Sequence, residues 1–206
     1  MIFITGCARS GTSLTAKILR AHGCWLGEPA EVNVLYENVV VRDGILKPYL
    51  RWVGADPLGQ GVLPDTDLLP LKPGFQEAIA EVFAGKPEPH AYKDAKIALV
   101  WQAFAFAYPE AKWVLVRRVA EKIIDSCVRT PFMAAHGSDR RAWARWVFEH
   151  ERRFDRMKAT GLDLIETWPA DYIRDPEAFR PVAEHCGLEF KSASVEAAVD
   201  RGVWHG

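Results

Sequence analysis

Paired cysteines are missing from this chain. Its four cysteines, Cys7, Cys24, Cys127 and Cys186, make no C-x-x-C pair and no His/Cys cluster at zinc-ligand spacing. A disulfide scaffold and a structural zinc site are therefore not expected, and free thiols in a reducing compartment are. No apolar stretch reaches ~18 residues, so no membrane span is expected. No charged-then-apolar leader opens the chain, because an apolar run starts at Met1, and a cytoplasmic location is the expectation. There is no excess of basic residues: the formal net charge is −1. That argues against a general nucleic-acid binder and makes any cationic site local. Internal repeats and low-complexity tracts are also missing.

What is present is ordinary globular composition, 49% apolar and 26% charged, with a high count of eight Trp. The 206 residues suit a single domain spanning 1–206. Short apolar runs at 1–5, 91–93, 112–117 and 164–167 read as strands. Helical patterns lie between them, at 11 or 12 to 21, 75–84, 95–108, 120–129, 141–159 and 177–185. The mixed stretch 34–52, interrupted by Gly44 and Pro48, reads as two short helices. In the 141–159 helix, Trp143, Trp146, Val147, Phe154 and Met157 form the inward stripe, and Glu149, Arg152, Arg153 and Asp155 are expected in solvent. Residues 54–74 carry repeated Pro and Gly and read as an irregular lid or substrate-binding segment. Alternating strands and helices predict an α/β fold of three layers, a parallel sheet flanked by helices on both faces.

The first twenty residues carry the strongest signal. Met1-Ile2-Phe3-Ile4-Thr5 is a buried-strand composition, followed by Gly6-Cys7-Ala8-Arg9-Ser10-Gly11-Thr12-Ser13 and then a helix. Strand, glycine loop, helix aims backbone N–H groups at an anion. The spacing is that of the ATP-type phosphate loop, but Thr12 stands where that loop has lysine, and the positive charge sits at Arg9. The alternative is a strand-to-helix turn that binds nothing. A second constellation follows the 112–117 strand: Arg118, with Ser126 eight residues on. At a strand's carboxyl end Arg118 would face the same crevice as Arg9, and Arg plus Ser suits a phosphate dianion. Arg117 is the adjacent competitor.

The loop ITGCARSGTSL resembles the 5′-phosphosulfate loop of sulfotransferases that use 3′-phosphoadenosine-5′-phosphosulfate (PAPS). Arg118 and Ser126 resemble that family's 3′-phosphate site. Tyr92-Lys93-Asp94-Ala95-Lys96 is similar to its Lys-Asp-Pro-Arg segment, with Ala95 and Lys96 replacing proline and arginine. Residues 172–187 resemble its closing Tyr-Glu-Asp-Leu…Asp-Pro…Leu-Gly-Leu element, with Ile173 and Arg174 departing from it. The resemblance spans residues 2 to about 190. It implies PAPS as donor and 3′,5′-adenosine bisphosphate as product, with no metal demanded. Arg9, Ser10, Gly11, Thr12, Ser13, Arg118 and Ser126 are then the donor-binding residues, and Arg9 and Lys93 neutralise developing charge.

The same resemblance implies a carboxylate or His base after the first helix. Tyr36-Glu37-Asn38 puts Glu37 first; Glu31 and Glu28 follow, with His22 and His90 behind. The implied acceptor is a small molecule or glycan bearing a hydroxyl or amine. Arg201, in the faint tail echo Asp200-Arg201-Gly202-Val203-Trp204, is a further candidate for the 3′-phosphate. Two other readings stay open: a small-molecule kinase, disfavoured by Thr12 and by Arg117 where an acidic strand end would stand, and a catalytically inactive nucleotide-binding module.

Overall fold

The computed structural model describes residues 1–65, 69–70 and 72–199. Its centre is a four-stranded parallel sheet in the order β2-β1-β3-β4, built from β1 (Ile2–Gly6), β2 (Ala91–Lys93), β3 (Lys112–Val116) and β4 (Leu164–Thr167). The helices are α1 (Thr12–Ala21), α2 (Val39–Val41), α3 (Lys47–Trp52), α4 (Phe75–Phe83), α5 (Trp101–Ala107), α6 (Ala120–Arg129), α7 (Arg140–Ala159), α8 (Pro169–Arg174), α9 (Arg180–His185) and α10 (Ser192–Ala198). All four cysteines are buried and unpaired. No helix among the described residues is long and apolar enough to cross a membrane.

Strand side chains alternate between two cores, as period-two geometry requires. Phe3, Tyr92, Trp113 and Leu115 pack with Tyr49, Ile79, Phe104 and Trp143 on one face. Ile2, Ile4, Val114 and Val116 pack with Ile18, Leu19, Tyr172 and Phe179 on the other. Strands buried on both sides read as continuous apolar runs, and that made β1 and β3 visible in the sequence. The three-layer α/β arrangement is thus the observed one.

Several local expectations are corrected. Residues 39–52 are not two helices split at Gly44 and Pro48. They run without a break from α2 through a π-helical turn, Arg42–Leu46, into α3. The wider turn accommodates Pro48, which lacks an N–H and whose ring meets the carbonyl of residue 44 in a regular helix. Residues 95–108 are not one helix. A 3₁₀ segment, Ala95–Leu99, ends at Val100, whose non-helical backbone (φ −138°, ψ 30°) separates it from α5. Its first turn is tied to the sheet: Asp94 caps Lys96 N–H, and Thr5 Oγ1 accepts Ala98 N–H.

Residues 177–185 likewise divide into a 3₁₀ turn, Pro176–Phe179, and α9, because Pro181 has no N–H to continue the first and fits the start of the second. Arg153 is not in solvent. It is 5% exposed, covered by the irregular segment after α3, and donates to Glu149 O at 2.6 Å and Pro64 O at 2.7 Å. Helices α8 and α10 went unforeseen. Arg201 and the echo around it lie outside the described residues.

Candidate functional site

β1 has β2 on one side and β3 on the other, so the chain changes direction across the sheet at β1. Ligand crevices of open α/β sheets form at such switch points, beyond the strands' carboxyl ends. The glycine loop occupies that position. Gly6 has no room for a side chain: a Cβ there would stand 2.3 Å from Val116 O and 2.8 Å from Ser10 Oγ. Two loop residues take positive φ, Arg9 at 71° and Gly11 at 104°. Gly11 caps α1 without a side chain, leaving the first N–H groups of that helix without a side-chain partner at the cap. Ser10 Oγ is buried without a hydrogen-bond partner.

Arg9, Arg118 and Ser126 come together. Arg9 Nε donates to Ser126 Oγ at 3.0 Å, and Arg118 Nη1 donates to Arg9 O at 3.0 Å. With Gly11, Thr12 and Ser13 they line a cleft of about 540 Å³, to which Arg129 and Thr130 add. Burial lowers the pKa of both Arg9 and Arg118, and the neighbouring Arg9 and Arg129 charges lower Arg118 further. Two guanidiniums crowded in this way are relieved by an anion between them. Arg117 is turned elsewhere: it pairs with Glu151 and Glu166 and lies over the rings of Phe154 and Trp168.

On the loop's other side, Lys93 at the end of β2 is 3% exposed. Its Nζ lies 3.2 Å from Ser13 Oγ, 3.0 Å from Leu35 O and 3.3 Å from Glu37 Oε1. Local sequence fixes Glu37 from both directions. Before it, Asn33 Oδ1 accepts Leu35 and Glu37 N–H and closes a turn with Tyr36 at φ 62°. After it, Asn38 caps α2 through Val40 and Val41 N–H. Asn33 Nδ2 and Arg42 Nη1 each donate to Glu37 Oε2 at 3.3 Å.

Burial alone would raise the Glu37 carboxyl. The Lys93 and Lys96 charges and the Asn33 and Arg42 hydrogen bonds outweigh it and hold the group below the usual carboxylate range. Lys93 is lowered, by burial first, against the pull of Glu37 and Asp94. Lys96 is raised, because Asp94 and Glu37 outweigh burial.

The other base candidates lie elsewhere. Glu31 accepts Glu28 N–H, and Glu28 faces Lys86 at 3.6 Å. His22 is a packing residue, with Nδ1 donating to Ile18 O and Nε2 accepting Lys191 N–H. His90 stacks on Phe83. None of the four lines the clefts beside the loop.

Glu37 and Lys93 border a smaller cavity of about 100 Å³, closed by Leu58, Gln60, Leu99, Phe132, Trp146 and His150. Sequence reading missed Gln60 and His150. Gln60 ties the irregular segment to Phe132 O and Ala134 N. His150 Nδ1 donates to Trp146 O at 2.8 Å, so Nε2 carries the lone pair. Burial pushes its pKa down to about 4. The one available signal, a His on the apolar stripe of α7, reads more readily as core.

An anion cleft at the switch point of a parallel α/β sheet defines a class of proteins that bind and transfer anionic groups. Within it, this chain belongs to the sulfotransferase family: the model described as Sulfotransferase family matches residues 2–192. It is a sulfotransferase, an enzyme of sulfuryl transfer. Among solved structures it is similar to the sulfotransferase domain from the curacin biosynthetic pathway, at TM-score 0.63 and 14% identity, over 97% of this chain and 77% of that one. It is also similar to sulfotransferase STF1 from Mycobacterium tuberculosis H37Rv, at TM-score 0.54 and 17% identity, over 96% and 69%. No curated protein matches it by sequence.

Proposed function

We propose that the protein transfers the sulfuryl group of PAPS to a hydroxyl or amine of a small-molecule or glycan acceptor, with Glu37 as base. The observation that carries this reading is the pair of polar arms on the loop, Arg9–Ser126–Arg118 on one side and Ser13–Lys93–Glu37 on the other. The residues fit the donor: Ser10 Oγ is a buried donor without a partner, and two crowded arginines face one cleft. Arg9, Ser10, Gly11, Thr12 and Ser13 would hold its 5′ end, and Arg118 with Ser126 its 3′-phosphate. When bound, it supplies the activated sulfuryl group.

The chain's own residues do the rest. Arg9 and the amides at the start of α1 steady the charge left on the departing phosphate. Lys93 Nζ, in contact with Ser13, steadies charge at the reacting centre while keeping Glu37 ionised. Glu37 accepts the acceptor's proton at a carboxylate oxygen. Trp146, which is buried, backs the small cavity, and Leu58 and Phe132 stand at its edge.

Calorimetry with 3′,5′-adenosine bisphosphate against ATP, both without added metal, tests the donor. The bisphosphate is expected to bind at about 1 μM or tighter, near 8 kcal/mol. Equal or tighter binding of ATP, in a second titration with magnesium added, would sink the reading in favour of a kinase.

A further inference from the structure

Gln60, Trp146 and His150 all border the small cavity beside Glu37. Two of them are already spent. The Gln60 amide donates to Phe132 O at 2.9 Å and accepts Ala134 and Ala135 N–H. Trp146 Nε1 donates to Gly59 O at 2.9 Å. His150 is only half spent. Its Nδ1 turns back on its own helix to Trp146 O, and Nε2 has no donor among the described residues. The ring is 2% exposed and packed against Trp146 and Phe154, with centroids 4.2 and 6.3 Å away. Nε2 is therefore the polar atom that this ring offers the cavity. Burial, with the Arg153 charge behind it, keeps the imidazole neutral, so Nε2 accepts a hydrogen bond and cannot give one. A buried acceptor atom without a donor carries a desolvation cost that a ligand hydroxyl would cancel.

The other walls limit what brings that hydroxyl. Leu58, Leu99, Phe132 and Met133 border the same cavity, and apolar walls suit a carbon ring. The volume of about 100 Å³ takes the reacting end of an acceptor and little more. We infer that His150 Nε2 selects the acceptor, and that the acceptor is a compact aromatic ring with two hydroxyl groups, one presented to Glu37 and the other donated to His150. The inference rests on the sulfotransferase reading above and narrows its acceptor class. In transfer, the first hydroxyl oxygen forms the new bond to sulfur, its proton goes to Glu37, and the bond from sulfur to the donor phosphate breaks. The second hydroxyl keeps its proton throughout. An ether oxygen in its place sets lone pair against lone pair and is rejected.

The test is a binding experiment and needs no turnover. Catechol, resorcinol and hydroquinone, their monomethyl ethers and phenol are titrated into the protein, alone and with saturating 3′,5′-adenosine bisphosphate. At least one diol is expected to bind about tenfold tighter than both its ether and phenol. Phenol, the ring without a second group, separates a lost hydrogen bond from a methyl group that does not fit. His150→Phe keeps an aromatic ring and removes the lone pair, so it should erase the preference. Bisphosphate affinity should stay within about twofold, since His150 does not line the cleft of Arg9 and Arg118. In nitrogen-15-labelled native protein, the His150 Nε2 resonance should move upfield with that diol and stay in place with its ether, a readout that needs no variant to fold. No preference for any diol, a preference that survives in His150→Phe, or an unmoved Nε2 resonance overturns the inference. Equal weakening of phenol and diol in His150→Phe puts the ring on the reacting hydroxyl and overturns it as well. Failure of the bisphosphate itself to bind overturns the donor reading instead, and the diol preference is then judged from the titrations on the protein alone.

Discussion

Arg9 Nε and Ser126 Oγ meet at 3.0 Å across 117 positions of sequence. The contact joins the loop after β1 to the helix after β3, so the arginine of the glycine loop is held by a serine of α6. Removing either residue therefore disturbs both.

Arg118→Ala and Ser126→Ala should weaken 3′,5′-adenosine bisphosphate more than adenosine 5′-phosphate. A lost charge-assisted contact costs about 1.5–3 kcal/mol. Calorimetry on both ligands measures the difference; equal losses would mean that Arg118 does not read the 3′-phosphate.

Glu37→Gln should leave bisphosphate affinity nearly unchanged and lower the transfer rate by ~10²–10⁴-fold, because a base acts in the transition state. Arg9→Ala should harm both. Stopped-time assays against an acceptor panel check this, and normal turnover by Glu37→Gln moves the base elsewhere.

His150 gives stability a pH dependence. Its folded pKa of about 4 lies below the ordinary histidine value, so the unfolded chain binds the proton more readily. Its contribution is therefore full above ~6.5 and falls as pH drops toward 4. Between pH 7 and 5 the loss is about 2 kcal/mol. Urea unfolding of the native protein and of His150→Gln at both pH values should show the slope in the first and its loss in the second. Parallel slopes would contradict the assignment.

Gly6→Ala should destabilise by about 1–3 kcal/mol or more, since the new methyl meets backbone oxygen and cannot be relieved by a rotamer change. Thermal unfolding and bisphosphate titration should fall together. A stable variant with intact binding would show that the loop and β3 can separate.

The frame was legible where one physical signal dominated. β1 and β3 stand out because both faces are buried, and the loop because Gly6 and Gly11 flank a lone arginine. Arg117 and Arg118 could be told apart in the sequence only through the resemblance to the family's Arg–Ser spacing; the structure pairs Arg117 with Glu151 and Glu166. Hidden features depended on partners far along the chain. The break at Val100 follows from Thr5 holding Ala98 N–H, and Arg153 is buried because Pro64 happens to cover it. Glu37 could be chosen by motif, but the contact with Lys93 that keeps it ionised joins residues 56 positions apart.

The segment between α3 and α4 is gripped by α7 at two backbone oxygens, Gly59 O by Trp146 and Pro64 O by Arg153. Carbonyl oxygens are the same whatever side chain the residue carries. Between and beside those clasps, Leu58 and Val62 stand 58% and 70% exposed. The segment can therefore change those side chains while its two backbone clasps stay in place. Position 58, on the border of the small cavity, and position 62 can vary without touching the glycine loop, Lys93 or the clasps themselves.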